Sequence, residues 1–548
     1  MSVPVVDLFA GPGGLGEGFS RSRACDFRLA VSIEKDPMAW QTLRLRAAHR
    51  ELMREVGPVS STWQKWDAII ASTGWPETFE ALRASSDSAI RAACKAASDE
   101  AWLCELGPDN RDEVAAGIRT RLAPFRRRNG TMPRNTVLIG GPPCQAYSIV
   151  GRSRNRAKSD YRAEWDQRHY LYLEYLNVIA DLQPAVFVME NVKGMLTSRI
   201  LGRGMFASIQ NDLTRPDRAL GRNNGHSYRL VSLDRNTLMP TDPEPDDFIV
   251  CAEDHGVPQA RHRVIICGIR NDVISRLADV PHLETVPRPA TVESAISDLP
   301  PLHPVISHRG KGMSLLDCFS LPIYVAALKE LNGRGSTGRA VASAMEQAVR
   351  ELRSSGQVSC GAERQPAAPA RLGRPDALMS WLRDRPSRVL ANHECRAHMP
   401  EDLVRYLFVA SYGSAVGRSP KLGDFPLSLL PDHENVDRDN PARSIFKDRF
   451  RVQIARECAT TITSHIGKDG HAFIHPDIRQ CRSLTVREAA RLQTFPDSYV
   501  FLGNRTSQYT QVGNAVPPLL ALRIADAIAA VLTEAGLATG PVAMDAYA

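Results

Sequence analysis

Residues 3–19 read VPVVDLFAGPGGLGEGF, an apolar strand that runs straight into a glycine-rich turn and then into a helix expected to begin near Leu15. Glycines permit positive φ and close backbone approach, and a helix amino terminus offers free N–H groups and partial positive charge to an anion. The stretch predicts the opening strand, turn and helix of an α/β nucleotide-type fold. Gly11, Gly13 and Gly16 satisfy GxGxxG, and Glu34 closes the next strand, LAVSIE, at the spacing where an acid meets ribose hydroxyls. That pattern alone suits a dehydrogenase equally well.

Working outward, TVLI (136–139), VFVME (186–190) and RVIICGI (263–269) predict further strands, separated by helical stretches such as HYLYLEYLNVIADL (169–182). Alternating strand and helix implies a doubly wound α/β sheet. Because the chain begins only a few residues before its first strand, the flanking helix is expected from the carboxyl end. PPLLALRIADAIAAVL (517–532) is apolar at helical spacing and can supply it. LTVREAARLQTFPD (484–497) opens with Thr485 and, three residues later, Glu488, a capping box that predicts a scaffold helix.

Three segments carry chemistry. Gly141-Pro142-Pro143-Cys144 follows the strand TVLI, and the two prolines fix φ and delete two donors, which holds the Cys144 side chain in a defined place. A lone cysteine is more often a small buried apolar residue, so the assignment as nucleophile leans on the other segments. VFVMENVKGM (186–195) ends a strand in Glu190-Asn191, and partial burial there would raise a glutamate pKa toward that of a general acid. A strand-end acid that caps a helix or pairs with an arginine is the bland alternative. In GVPQARHRVIICGI (256–269), Gln259, Arg261 and Arg263 alternate and are expected on one face of one strand, facing a polyanion or a polar base edge. Surface charge on an edge strand is the competing explanation. Phe9 and Ala10 before the glycines favour S-adenosylmethionine over a nicotinamide dinucleotide.

Taken in order, DLFAGPGG, GGPPCQAYS, ENVKGM, QARHRV, RSLTVREAARLQTFPD and QVGNAVPP, spread from residue 7 to residue 518, resemble the motifs of DNA (cytosine-5)-methyltransferases. The resemblance implies an S-adenosylmethionine-dependent methyltransferase sheet with a smaller, mixed target-recognition domain. It implies that Cys144 attacks cytosine, Glu190 protonates the ring with Asn191 beside it, Arg263 holds the base, and Arg261 lies nearby on phosphate or ring. Phe9, next to Ala10 and Gly11, is implied to stack on the adenine, Glu34 to bind the ribose, and Pro12, Gly14 and Asn514 to surround the methionine end. Glu105, in Glu105-Leu106-Gly107, is the candidate acidic contact to the adenine, against a plain helix end. QAYSIVGRSR (145–154) and DQRHYLYLEYL (166–176) look most like methyltransferases of bacterial restriction and phage-defence systems. The loop 145–154 is expected to close on a base flipped from the duplex.

Composition sets limits. A formal charge of +7 suits a double-stranded DNA partner but is common in other proteins. Eleven cysteines without a CxxC pair argue against a disulfide framework and a zinc ribbon, and no metal is expected. No uncharged apolar run of membrane-spanning length and no signal segment is visible, so no membrane is expected and the chain is expected to be cytoplasmic, on the bacterial nucleoid. Residues 1–275 are expected to form the catalytic and cofactor domain with a helical insertion at about 47–133. Residues 276–480 are expected to be the target-recognition domain, and 481–548 the scaffold helix and returning segment. QPAAPARLGRP (365–375) reads as a linker or exposed loop, and RSIFKDRFRV (443–452) and GSAVGRSPKLG (413–423) resemble phosphate- and base-contacting loops. An RNA (transfer RNA) cytosine-5 methyltransferase is the first rival, disfavoured by the length of 276–480. A catalytically silent DNA-binding partner is the second, disfavoured by the presence of Cys144 and Glu190. A nicotinamide-dependent oxidoreductase is a distant third.

Overall fold

β1 (Val3–Leu8) is buried along its whole length, as a parallel strand covered on both faces must be. The computed structural model describes residues 2–127, 129–143, 168–196, 199–200, 203–223, 225–234, 244–280, 282–307, 310–354, 359–367, 376–432, 435–444 and 447–540. β2 (Phe27–Glu34), β3 (Ala101–Leu103), β4 (Val137–Gly140), β5 (Val186–Val192), β6 (Tyr228–Val231), β7 (Ile249–Cys251) and β8 (His262–Arg270) join β1 in one sheet. Its order is β3-β2-β1-β4-β5-β8-β6, with β7 also paired to β8. The first five are parallel, whereas β8 runs antiparallel to β5, β6 and β7.

This order puts one end of the sheet in charge of function. β1 lies between β2 and β4, so the chain leaves it in opposite directions and opens a crevice outside the carboxyl ends of β1 and β4. The reversed β8 brings its amino end, with Arg263, to the same edge as the carboxyl end of β5, where Arg263 sits opposite Val192. The approach is tight. A Cβ on Gly140 would lie 2.6 Å from Leu8 O.

Helices cover both faces. On one, α1 (Gly14–Arg21) packs against the carboxyl-terminal helix Pro518–Glu534 so closely that a Cβ on Gly18 would collide with Ala521. That is the flanking helix expected from residues 517–532. Among the described residues one stretch, Arg505–Glu534, is long and apolar enough to cross a membrane on composition, but 72% of its most apolar window is buried, and it is broken at Ala515–Pro517 into two helices. On the other face, α6 (Arg111–Arg121) and α7 (Arg168–Leu182) share an apolar core with β1, β2 and β5.

The insertion is helical as expected, through the end of α2 (Pro37–Val56), α3 (Thr62–Ser72), α4 (Thr78–Arg83), α5 (Ser88–Glu100) and α6, but it also contains the edge strand β3. Three residues are too short for a period-2 signal to appear in the sequence. Trp63, Trp66, Phe79 and Leu82 of the insertion form a core that includes Val389, Ala391, Val500 and Leu502. Packing likewise does not break at residue 276. Leu283, Val292, Leu299, Trp381, Leu382 and Phe473 share the core of the sheet, while a separate core gathers Tyr406, Phe408, Phe425 and Phe450. Gln365 and Pro366 of the predicted linker belong to the strand Gly361–Pro366, and residues 368–375 lie outside the described residues.

Candidate functional site

The turn after β1 is built from backbone that only small residues tolerate. Gly11 has φ 58° and Gly13 φ 100°, and Phe9, with φ 57°, takes a left-handed conformation that costs a non-glycine residue energy. Ala10 N donates to Ile33 O (3.0 Å), and Gly13 N donates to Ala10 O (2.9 Å). Gly14 opens α1 against the carboxyl-terminal segment, where a Cβ would collide with Val516 O. Asn514 ends the helix Arg505–Asn514 two residues before that contact and is exposed.

Glu34 stands at the carboxyl end of β2 beside this turn. Its Oε2 accepts from Gly11 N (2.8 Å) and its Oε1 from Asp36 N (2.7 Å). Burial raises its pKa, against these backbone donors. Each carboxylate oxygen keeps a lone pair, so two ribose hydroxyls can still be accepted. Glu105 follows β3 at the same edge, exposed and paired with Lys35 Nζ at 2.9 Å. The residues at this end thus fit a nucleoside-bearing cofactor: a carboxylate for ribose, an aromatic ring at Phe9, and glycines whose missing side chains leave room. Sequence reasoning passes over Asp7, wholly buried in β1, whose carboxyl is held well above the usual range by burial, with Arg50 opposing. It also passes over Tyr499, whose hydroxyl donates to Pro12 O.

The second half of the site lies at the ends of β4, β5 and β8. Gly141, Pro142 and Pro143 are described, whereas Cys144 and the loop 145–154 lie outside the described residues. Asn191 is buried, and its Nδ2 donates to Pro142 O at 3.0 Å. Glu190 Oε1 lies 3.1 Å from Arg263 Nε, and a Cβ on Gly141 would approach Glu190 Oε2 to 3.1 Å. Burial lowers the Arg263 pKa, with Glu190 opposing, and its Nη1 also donates to His262 O (2.8 Å). Three of the expected residues, Glu190, Asn191 and Arg263, are therefore brought together beside Gly141 and Pro142.

Arg261 is a correction. Residues 259–263 are not one strand: Gln259–Ala260 pairs with Ala459–Thr460, the ladder is interrupted at Arg261, and β8 starts at His262. Arg261 is 1% exposed and donates to Ile462 O (2.9 Å), Gly513 O (3.3 Å) and Ala515 O (2.8 Å). Held on these carbonyls, its guanidinium is buried and is not presented at the surface. Gln259 is equally structural, donating to Leu492 O (3.1 Å) and accepting from Ile462 N (2.7 Å). Both stitch the sheet to the carboxyl-terminal third.

Among the described residues, Cys251, Glu253 and His262 bring three ligand-type atoms within 4.8 Å of one another. His262 Nε2 already meets Glu253 Oε1 at 2.7 Å, and its Nδ1 meets Lys193 Nζ at 3.1 Å. Both ring nitrogens of His262 are thus already engaged by neighbouring side chains. Of the basic pieces farther along, Arg418 is tied to Asp424 (2.9 Å) and Tyr412 Oη (2.7 Å), and Arg451 to Asp448. Arg443 and Lys447 are exposed.

The profile of the family described as C-5 cytosine-specific DNA methylase matches residues 122–214, 248–321 and 418–530. The type II methyltransferase M.Bpa9945I of Bacillus paralicheniformis is 31% identical over 96% of this chain and 98% of its own length. The type II methyltransferase M.AgeI of Thalassovita gelatinovora is 27% identical over 72% of this chain and 82% of its own. The DNA (cytosine-5-)-methyltransferase M.ApeKI of Aeropyrum pernix is 29% identical over 72% of this chain and 81% of its own.

Proposed function

The chain belongs to the C-5 cytosine-specific DNA methylase family, and from that premise we propose that it methylates carbon 5 of a flipped cytosine within a specific duplex DNA sequence, through a covalent Cys144 adduct. The enzyme is a DNA (cytosine-5-)-methyltransferase with S-adenosylmethionine as methyl donor. The observation that supports the mechanism is that Glu190, Asn191 and Arg263 converge on the Gly141–Pro143 segment that leads into Cys144, because the Glu190–Arg263 pair at 3.1 Å would by itself suit a structural acid equally well.

Carbon 5 of cytosine is too weak a nucleophile to take a methyl group unaided. Cys144 thiolate adds to carbon 6, and Glu190 protonates or hydrogen-bonds ring nitrogen 3, which drains the charge and turns the ring into an enamine. A thiol of pKa about 8.5 is mostly protonated at pH 7, so the proposed mechanism needs cationic groups or helix amino termini around the site to favour the thiolate. Arg263 is proposed to hold the base, and Asn191 holds the carbonyl of Pro142. When bound, S-adenosylmethionine supplies an electrophilic sulfonium methyl group. After transfer, a base removes the carbon-5 proton and Cys144 leaves by elimination. Flipping the base out of the stack costs a few kcal/mol.

Phe9, Ala10, Gly11, Pro12, Gly14, Glu34, Glu105 and Asn514 form the cofactor side. Residues 276–480 read the DNA word, on the catalytic domain 1–275 and the returning segment 481–548. The type II names of the relatives support host-DNA modification alongside restriction proteins, and the same proposal puts the enzyme in the cytoplasm, at the nucleoid, with phage defence as its setting. The test is methyl transfer to unmethylated duplex DNA and to transfer RNA, followed by bisulfite mapping. One methylated word in duplex DNA is expected. Transfer to RNA alone would overturn the DNA substrate.

A further inference from the structure

The Pro496–Phe501 turn touches the cofactor turn from outside the sheet. Tyr499, wholly buried, donates its hydroxyl to Pro12 O, and a Cβ on Gly13 would lie 3.1 Å from that same hydroxyl oxygen. Pro12 sits between two glycines of positive φ; its ring fixes its own φ, and Gly11 N and Gly13 N are held by Glu34 Oε2 and Ala10 O, which leaves the Pro12 carbonyl to be fixed by Tyr499.

Tyr499 is itself rigidly held. Its ring lies 4.7 Å from Phe495 and 5.3 Å from Phe501, and the Arg46 guanidinium lies 4.8 Å above it. Arg487, buried in the helix Val486–Leu492, donates to Tyr499 O (2.5 Å) and Pro496 O (3.0 Å). Arg46 of α2 donates to Glu17 of α1 (2.8 Å) and to Ser498 Oγ (2.8 Å). The start of α1, the glycine turn and the Pro496–Phe501 turn are thus bound into one unit.

From this geometry we infer that Tyr499 is a positioning residue for S-adenosylmethionine: its hydroxyl fixes Pro12 and so sets the shape of the glycine turn before the cofactor arrives. The inference rests on the cofactor site proposed above. A turn ordered in advance spares the cofactor the entropy of ordering it, so the effect falls on cofactor affinity and spares the chemical step.

Tyr499→Phe removes the hydroxyl and nothing else. It is expected to raise the KM for S-adenosylmethionine, and the Kd of S-adenosylhomocysteine by calorimetry, about tenfold. Its kcat at saturating cofactor and its KM for DNA are expected to stay within about twofold of wild type. Tyr509→Phe is the control, because Tyr509 is as deeply buried and its hydroxyl donates to Leu484 O (2.6 Å), away from the glycine turn. It is expected to lose comparable thermal stability while keeping the wild-type KM. Wild-type cofactor affinity in Tyr499→Phe, or an equal KM shift in Tyr509→Phe, overturns the positioning role. Failure of the wild-type protein to bind S-adenosylhomocysteine at all would instead overturn the cofactor site.

Discussion

Asn191 Nδ2 donates to Pro142 O at 3.0 Å, while Asn191 Oδ1 accepts from Val192 N at 2.9 Å, so one amide spans the gap between β5 and the proline segment after β4. Glu190, its neighbour in sequence, points the other way and meets Arg263. Period-2 alternation near the end of one strand thus divides two contacts, with one residue holding the proline segment and the other meeting Arg263.

The tether is testable. Asn191→Ala leaves Pro142 O buried without its donor, at a cost of about 1–3 kcal/mol. The expected outcome is a folded protein that forms its covalent adduct with 5-fluorocytosine DNA about tenfold more slowly, while Cys144→Ser forms none. An unchanged adduct rate in Asn191→Ala would separate Pro142 from the chemistry.

Glu190 and Arg263 form a second pair of predictions. Glu190→Gln keeps the shape but removes the proton donor, and a loss of about 10²–10⁴ in kcat is expected with DNA binding retained. Arg263→Lys keeps a charge but not the planar fork that meets Glu190, so most activity is expected to be lost there too. Single-turnover methyl transfer measures both. A fully active Arg263→Lys enzyme would reduce Arg263 to a charge partner.

Local residue types make much of this site legible in the sequence. Val3–Phe19 announces its strand, turn and helix, and polar residues closing apolar strand patterns mark Glu34, which ends β2, and Glu190, which lies two residues before the end of β5. Arg261 is not legible in the same way. Alternation tells which face a side chain takes, not what covers that face, and its carbonyl partners lie 201 to 254 residues away. Tyr499 and Asp7 escape sequence reasoning for the same reason, since the contacts that define them come from remote chain. The insertion resembles an appendage in sequence, yet Asp67 Oδ1 of α3 accepts from Arg385 Nη2 at 2.6 Å, both side chains buried.

Acid stability follows from a buried cluster near the helix Val486–Leu492. Burial lowers the His475 pKa to about 4, with Arg482 adding and Glu488 opposing. An unfolded histidine titrates near pH 6.5, so the folded state binds fewer protons between the two values. This contribution is whole above pH 6.5 and is lost as pH falls toward 4, by about 3 kcal/mol in all. Against the cost of burial, Arg482 and His475 hold Glu488 far below the usual carboxylate range, which adds a second loss below about pH 4.5. Urea unfolding at pH 7.5, 6 and 4.5 should show the decline, and His475→Gln should flatten it above pH 4.5. Equal wild-type stability at pH 7.5 and 4.5 would contradict this account.

The last prediction concerns the DNA word and where a graft can be cut. Residues 276–480 are proposed to read the sequence, but Trp381–Arg385 within them are fastened to the catalytic side. Trp381 Nε1 donates to Thr494 O (2.7 Å), Leu382 O accepts from Asp497 N (2.7 Å), Asp384 accepts from Ser498 Oγ (2.6 Å), and Arg385 pairs with Asp67. Exchanging this strap along with the rest would leave Asp67 charged and buried, and breaking a buried pair on one side costs about 3–5 kcal/mol. A chimera that takes 276–480 from a relative of different target but retains residues 376–394 is therefore expected to fold and to methylate the donor's word. The same graft without the retained strap is expected to be destabilised, and Asp67→Asn should restore part of the loss. Each direct base contact moved should shift preference by about 1–3 kcal/mol, whereas phosphate contacts alter affinity for all sequences alike. If the active chimera kept the original word in bisulfite maps, recognition would have to lie in the retained strap 376–394 or outside 276–480, and the strap and then the insertion at 47–133 would be the next segments to exchange.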